Sequence, residues 1–169
     1  ANEIGVLVER TVGSLTLAGN LVSANNGAGI WLEDVVGPAR VQRNFVGVEM
    51  EGFAALPNTG PGVVLVGCTG VQVGGSRAGQ ANLISGNEGP GLLIDGTGSG
   101  GDVEVVGNYV GVDRNAALAL PNLDHGLLVT GCPTPLSGPT LQGNLISGND
   151  GDGVHAQGCL HGLRVVANG

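Results

Sequence analysis

The sequence predicts an all-β chain folded as a single-stranded right-handed parallel β-helix, a solenoid of about six coils in three two-coil repeats. Three observations predict it. The string NLxSxN begins at Asn20, Asn82 and Asn144, with 62 residues between successive copies. A second string, NxVGV, begins at Asn44 and Asn108 and interleaves strictly with the first. Each string leads through a glycine-containing corner into a short apolar run. Self-similarity at such periods marks stacked supersecondary units rather than a globular core.

The strands follow from those corners. The corners lie at Gly5, Gly27–Gly29, Gly60–Gly62, Gly89–Gly91, Asp124–Gly126 and Gly151–Gly153, and glycine there suits tight, positive-φ bends. Beyond each corner, apolar residues alternate with period two, so one side of the strand faces the core. Val6, Val8, Ile30, Leu32, Val63, Leu65, Leu92, Ile94, Leu127, Val129, Val154 and Ala156 are expected inside. Leu17, Val41, Val105, Leu141 and Val165, each three residues before a repeated Asn, form a second inward set. Leu21, Phe45, Leu83, Tyr109 and Leu145, just after the Asn, are expected to complete each ring. The shortest coil spans 24 residues, from Asn20 to Asn44, which accommodates three short strands and three bends.

One polar position recurs at a fixed phase, at Asn20, Asn44, Asn82, Asn108, Asn144 and Asn168. Side-chain amides stacked from coil to coil can donate to and accept from one another, so an asparagine ladder is expected inside one bend. Asn44 and Asn108 lie sixteen residues before the next corner; Asn20, Asn82 and Asn144 lie seven before it. Alternate coils therefore carry a nine-residue insertion, within Gly47–Asn58 and Gly111–Asn122, expected to cover the core edge.

These strings and corners resemble those of the parallel β-helix repeat proteins of the pectin-lyase-like superfamily. The resemblance spans nearly the whole chain and implies the fold. It implies a polysaccharide-related role only loosely, because that superfamily mixes lyases, hydrolases, epimerases, adhesins and structural proteins. The whole of residues 1–169 reads as one β-helix domain, a segment of a longer solenoid, since a strand begins almost at Ala1 and the chain stops beside Asn168.

Composition narrows the function. Apolar residues make up 41% but aromatics only 2%, and 34 glycines suit thin repetitive β layers. The net charge of −8, with no Lys, disfavours nucleic acid as a partner. No apolar run reaches membrane-spanning length, so membrane insertion is not expected.

Outward residues after each corner form two rows. The first is Leu7, Trp31, Val64, Leu93, Leu128 and His155, a mostly aliphatic stripe about 24 Å long and the expected binding surface. The second is Glu9, Glu33, Val66, Asp95, Thr130 and Gln157. Glu9 and Glu33 read as solvated neighbours rather than an acid–base pair, and no Arg falls in either row. Catalytic residues are therefore not assigned, and the reading leans away from an enzyme. Asn149–Gly153 reads as turn chemistry rather than a calcium loop. His125, His155 and His161 are not expected to converge, so neither a metal site nor a cofactor is expected. Cys68, Cys132 and Cys159 each lie six residues after a corner Gly; Cys132 and Cys159, on adjacent coils, can form a disulfide that Cys68 cannot reach.

The functional expectation is a non-catalytic extracellular or cell-surface module with a structural, adhesive or assembly role, self-associating end to end or laterally. The alternatives are a polysaccharide-active enzyme fragment of the polyuronate lyase or epimerase type, and a glycan-binding module in which Trp31 stacks on a sugar.

Overall fold

A computed structural model describes residues 1–96, 102–132, 138–159 and 162–169. The described residues form three parallel sheets and no helix. Sheet A stacks Val6–Glu9, Ile30–Glu33, Val63–Val66, Leu92–Asp95, Leu127–Cys132 and Val154–Cys159 in chain order. Sheet B stacks Leu15–Ala18, Val36–Gln42, Thr69–Gly74, Glu104–Val106, Thr140–Gln142 and Arg164–Val166. Sheet C is built from the two-residue strands Leu21–Val22, Phe45–Val46, Leu83–Ile84, Tyr109–Val110 and Leu145–Ile146. The chain visits A, B and C in turn, so every neighbour within a sheet comes from the next coil. This is a parallel β-helix.

The register in sheet A follows the sequence rows residue by residue. Leu7, Trp31, Val64, Leu93, Leu128 and His155 lie side by side, as do Glu9, Glu33, Val66, Asp95, Thr130 and Gln157. Ile30, Leu32, Val63, Leu65, Leu92, Ile94, Leu127 and Val129 fill the core between the sheets. Ala156 and Val165, in the last strands of their sheets, are exposed instead.

Three expectations about the interior need correction. In sheet C the second residue of each strand packs into the core, so Val22, Val46, Ile84 and Val110 are buried. Of the residues after the ladder Asn, Leu21 and Tyr109 are exposed, Phe45 and Leu145 half-buried, and Leu83 only 2% exposed. The bend at the Asn turns the backbone by one residue, and period-two alternation then inverts the whole strand. In the third coil, Val73 takes the place opposite Val41 and Val105. Seven residues, 75–81, intervene between its strand and Asn82, so counting back from that Asn lands on Gly79 in a loop.

The third correction concerns the corners. Gly29, Gly62, Gly91 and Gly126 are absent from the positive-φ glycines, so backbone strain does not select them. Close approach does. A Cβ on Gly62 would sit 2.6 Å from the Gly91 carbonyl and 2.8 Å from the Asn87 amide nitrogen. Gly29, Gly91 and Gly126 repeat that crowding against the next corner carbonyl and the amides of Asn58, Asn122 and Asn149.

Those amides belong to a second ladder. In the first, Nδ2 of Asn20, Asn44, Asn82, Asn108 and Asn144 donates to Oδ1 of the next member, ending on Asn168, at 2.8–3.0 Å. In the second, Asn25, Asn58, Asn87 and Asn122 donate in the same way, ending on Asn149, at 2.7–2.9 Å. Asn44, Asn58, Asn82, Asn87, Asn108, Asn122 and Asn144 are buried. Their amides also donate to backbone carbonyls, as from Asn82 to Val41 and from Asn58 to Val22. Among the described residues no buried side-chain nitrogen or oxygen lacks a partner.

The two insertions fold alike. Val48 pairs antiparallel with Ala55, and Val112 with Ala119. A carboxylate closes each loop: Glu49 accepts from the amides of Glu51, Phe53 and Ala54, and Asp113 from those of Ala117 and Leu118. The loops also touch, the Arg114 amide donating to the Gly52 carbonyl at 2.9 Å. Met50, Phe53 and Leu118 remain exposed at their tips.

Candidate functional site

The outward row of sheet A is in place, but it is not an open stripe. Leu7 is 49% exposed, whereas Val64 is 0% exposed, set between the larger Trp31 and Leu93. Trp31, Leu93, Leu128 and His155 are half-buried. The Trp31 indole Nε1–H donates to Glu33 at 3.1 Å, which fixes the ring along the sheet.

A more pronounced feature lies beside sheet C. The inverted alternation of sheet C turns Phe45, Leu83 and Tyr109 outward, and the 75–81 loop rises beside them. Together they bound an open groove of about 710 Å³. Arg43, Arg77 and Arg114 all line it, and among the described residues no acidic one does. Half of the six Arg of a chain with net charge −8 thus gather at one concavity. The Arg114 guanidinium lies 5.5 Å from the centre of the Phe45 ring, a cation–π contact that holds the arm across the groove. Its Nη1 also donates to the Glu51 carbonyl at 3.3 Å. Arg40, outside the groove, is engaged elsewhere, donating to Gln72 on the face of sheet B.

Planar rings beside guanidinium forks suit a ligand with both a ring face and an anionic group. The rings stack on the face, and the forks bind carboxylate, sulfate or phosphate oxygens in pairs. Sequence reasoning placed Phe45 and Tyr109 in the core and weighed no role for Arg43, Arg77 or Arg114. The Arg residues share no repeat phase, and only the excursion at 75–81 brings Arg77 beside the others.

Two of the three His, expected to stay apart, come together. The rings of His125 and His155 stack with centroids 4.3 Å apart and planes 13° from parallel. Asp152 lies against both, its Oδ2 2.8 Å from His155 Nδ1 and 3.7 Å from His125 Nδ1. The hydrogen bond with His155 holds the Asp152 carboxyl below the usual carboxylate range. His161 lies outside the described residues.

Cys68 is a free, buried thiol, pushed up in pKa chiefly by that burial. Cys159 is disulfide-bonded, and the Cys132 backbone lies in register opposite it. The Cys132 side chain lies outside the described residues. Glu9 and Glu33 sit opposite each other in sheet A.

The fold and the groove define a parallel β-helix with a cationic, aromatic cleft. No protein-family description, curated protein or solved structure matches the chain. Among the described residues no helix is long and apolar enough to cross a membrane.

Proposed function

We propose that this chain is a non-catalytic extracellular or cell-surface β-helix module with a structural and adhesive role, whose adhesive contact is an anionic glycan held in the arginine-lined groove. The observation that carries the reading is the gathering of Arg43, Arg77 and Arg114 with Phe45 and Tyr109 in a chain that is otherwise strongly acidic. The net negative charge of the rest of the chain disfavours anions over most of the surface and makes the groove the favoured place for one. Two side-chain ladders running from coil to coil support the structural half of the proposal, because they tie each coil to the next through the interior. The resemblance of the repeat strings to the pectin-lyase-like superfamily agrees with a saccharide partner.

The test is a panel of carboxylated, sulfated and neutral oligosaccharides titrated against the wild-type chain, Arg77→Ala and Tyr109→Ala. Charge-assisted hydrogen bonds and ring stacking each contribute on the order of 1–3 kcal/mol. Each variant should therefore weaken binding about tenfold or more, with affinity for the acidic sugars falling as salt rises. Absence of binding to every acidic member, or binding by both variants as tight as that of the wild type, overturns the proposal. Cleavage or epimerisation of a polyuronate, lost in Glu9→Gln or Glu33→Gln, establishes the enzyme alternative instead.

A further inference from the structure

We infer that His125, Asp152 and His155 form a binding site for a transition-metal ion of the zinc class. One donor atom from each of the three lies within 4.8 Å of the other two. The donors come from two successive coils, and the backbone holds those coils together at this corner. The Gly126 amide donates to the Asp152 carbonyl, and the Leu127 amide to the Gly153 carbonyl, each at 2.9 Å. The ligand set is therefore carried on a fixed scaffold, and only the side chains need to move.

The distances suit an ion in place of protons. Zinc bound tetrahedrally at about 2.0–2.2 Å keeps neighbouring donors roughly 3.3–3.6 Å apart. Asp152 Oδ2 is 3.7 Å from His125 Nδ1, close to that spacing, and 2.8 Å from His155 Nδ1, where a proton now bridges the pair. Binding displaces this proton, and His125 Nδ1 exchanges the Asp152 amide, from which it accepts at 2.9 Å, for the ion. The parallel rings must fan apart for their in-plane lone pairs to converge. The His155 side chain is 38% exposed and that of Asp152 64%, so both have room to turn.

The Asp124 carboxylate is tied to the His125 backbone amide, from which Oδ1 accepts at 2.8 Å, and lies 3.6 Å from His125 Nε2. Turn chemistry does not account for the cluster. The matching corner residue is Ala28, Pro61 and Pro90 in earlier coils, and becomes His125 and then Asp152 in successive ones, while the outward row changes from aliphatic to His155 beside them. Two imidazoles with one carboxylate favour zinc, nickel or copper over calcium, which takes six to eight oxygens.

The experiment is isothermal titration of the tag-free chain with zinc chloride, and separately with calcium chloride, alongside His125→Ala, His155→Ala and Asp152→Asn. Circular dichroism confirms that each variant retains its strands, and the near-isosteric Asp152→Asn guards against a packing defect. One zinc per chain is expected, with affinity at least tenfold lower in every variant and no competition from millimolar calcium. A hundredfold excess over the wild-type Kd should raise Tm by about 5–10 °C in the wild type and by distinctly less in each variant at the same zinc concentration. Absence of saturable zinc binding, or binding unchanged in His125→Ala and His155→Ala, overturns the inference. So does displacement of zinc by calcium.

Discussion

Replacing Asn82 by Ala tests whether the first ladder holds the solenoid together or merely shapes a bend. Asn82 Oδ1 accepts from the Asn44 amide at 2.9 Å and from Asn44 Nδ2 at 3.0 Å. Its Nδ2 donates to the Val41 carbonyl and to Asn108 Oδ1, both at 2.8 Å. Truncation strands two donors on Asn44, a residue that is 0% exposed, and removes the donor from two acceptors. A buried donor left without a partner costs about 1–3 kcal/mol, so the variant should lose about 3–5 kcal/mol in total. For a chain of this size that corresponds to a fall in Tm of about 6–20 °C. Asn20→Ala is the internal control. Asn20 is exposed, and its amide makes one ladder bond, to an Asn44 oxygen that keeps the Asn20 backbone amide. Its loss should cost about 1 kcal/mol or less. Urea unfolding of both variants, with m compared to the wild type, gives the two numbers directly. Equal, small losses at both positions would refute the reasoning, because burial and mutual satisfaction would then contribute nothing beyond turn formation.

Two further outcomes follow from the same geometry. Gly47→Ala should destabilise by more than about 2 kcal/mol in the same urea assay. Gly47 has φ +84°, and a Cβ there would collide with the Ser85 carbonyl and the Asn87 side chain, which cannot retreat from the second ladder. The Glu49 carboxyl is lowered from 4.5 to about 2, first by the hydrogen bond with Glu51 and then by the loop amides, while Glu51 is raised by the same neighbour. A folded pKa below the unfolded one means that Glu49 supports its loop fully above pH 4.5, and that this support is lost as pH falls towards about 2. Amide shifts of Phe53 and Ala54, followed by NMR against pH, should therefore move with a midpoint near 2; a midpoint near 4.5 would contradict the capping role.

Parts of this molecule are decided within a single coil, and those were legible from residue order. Period-two alternation after each corner places Ile30, Val63, Leu92 and Leu127 inside and their neighbours outside, and repeat spacing sets which coil pairs with which. The first ladder was equally readable, because six Asn share one phase. The second was present in the same strings, as the closing Asn of NLVSAN and NLISGN and of each Leu-Pro-Asn, but its phase is interrupted by the nine-residue insertions.

Sequence alone thus determined the parallel β-helix architecture, the register of sheet A and one of the two ladders, because each depends on local periodicity repeated many times. Only the tertiary structure decided which way sheet C faces. A single bend shifts the alternation by one residue, and nothing in an apolar dipeptide such as Leu21–Val22 marks which member turns inward. The arginine groove and the His125–Asp152–His155 cluster depend on that kind of information too. Each joins residues that are unremarkable where they stand in the chain and become neighbours only when successive coils stack about 4.8 Å apart.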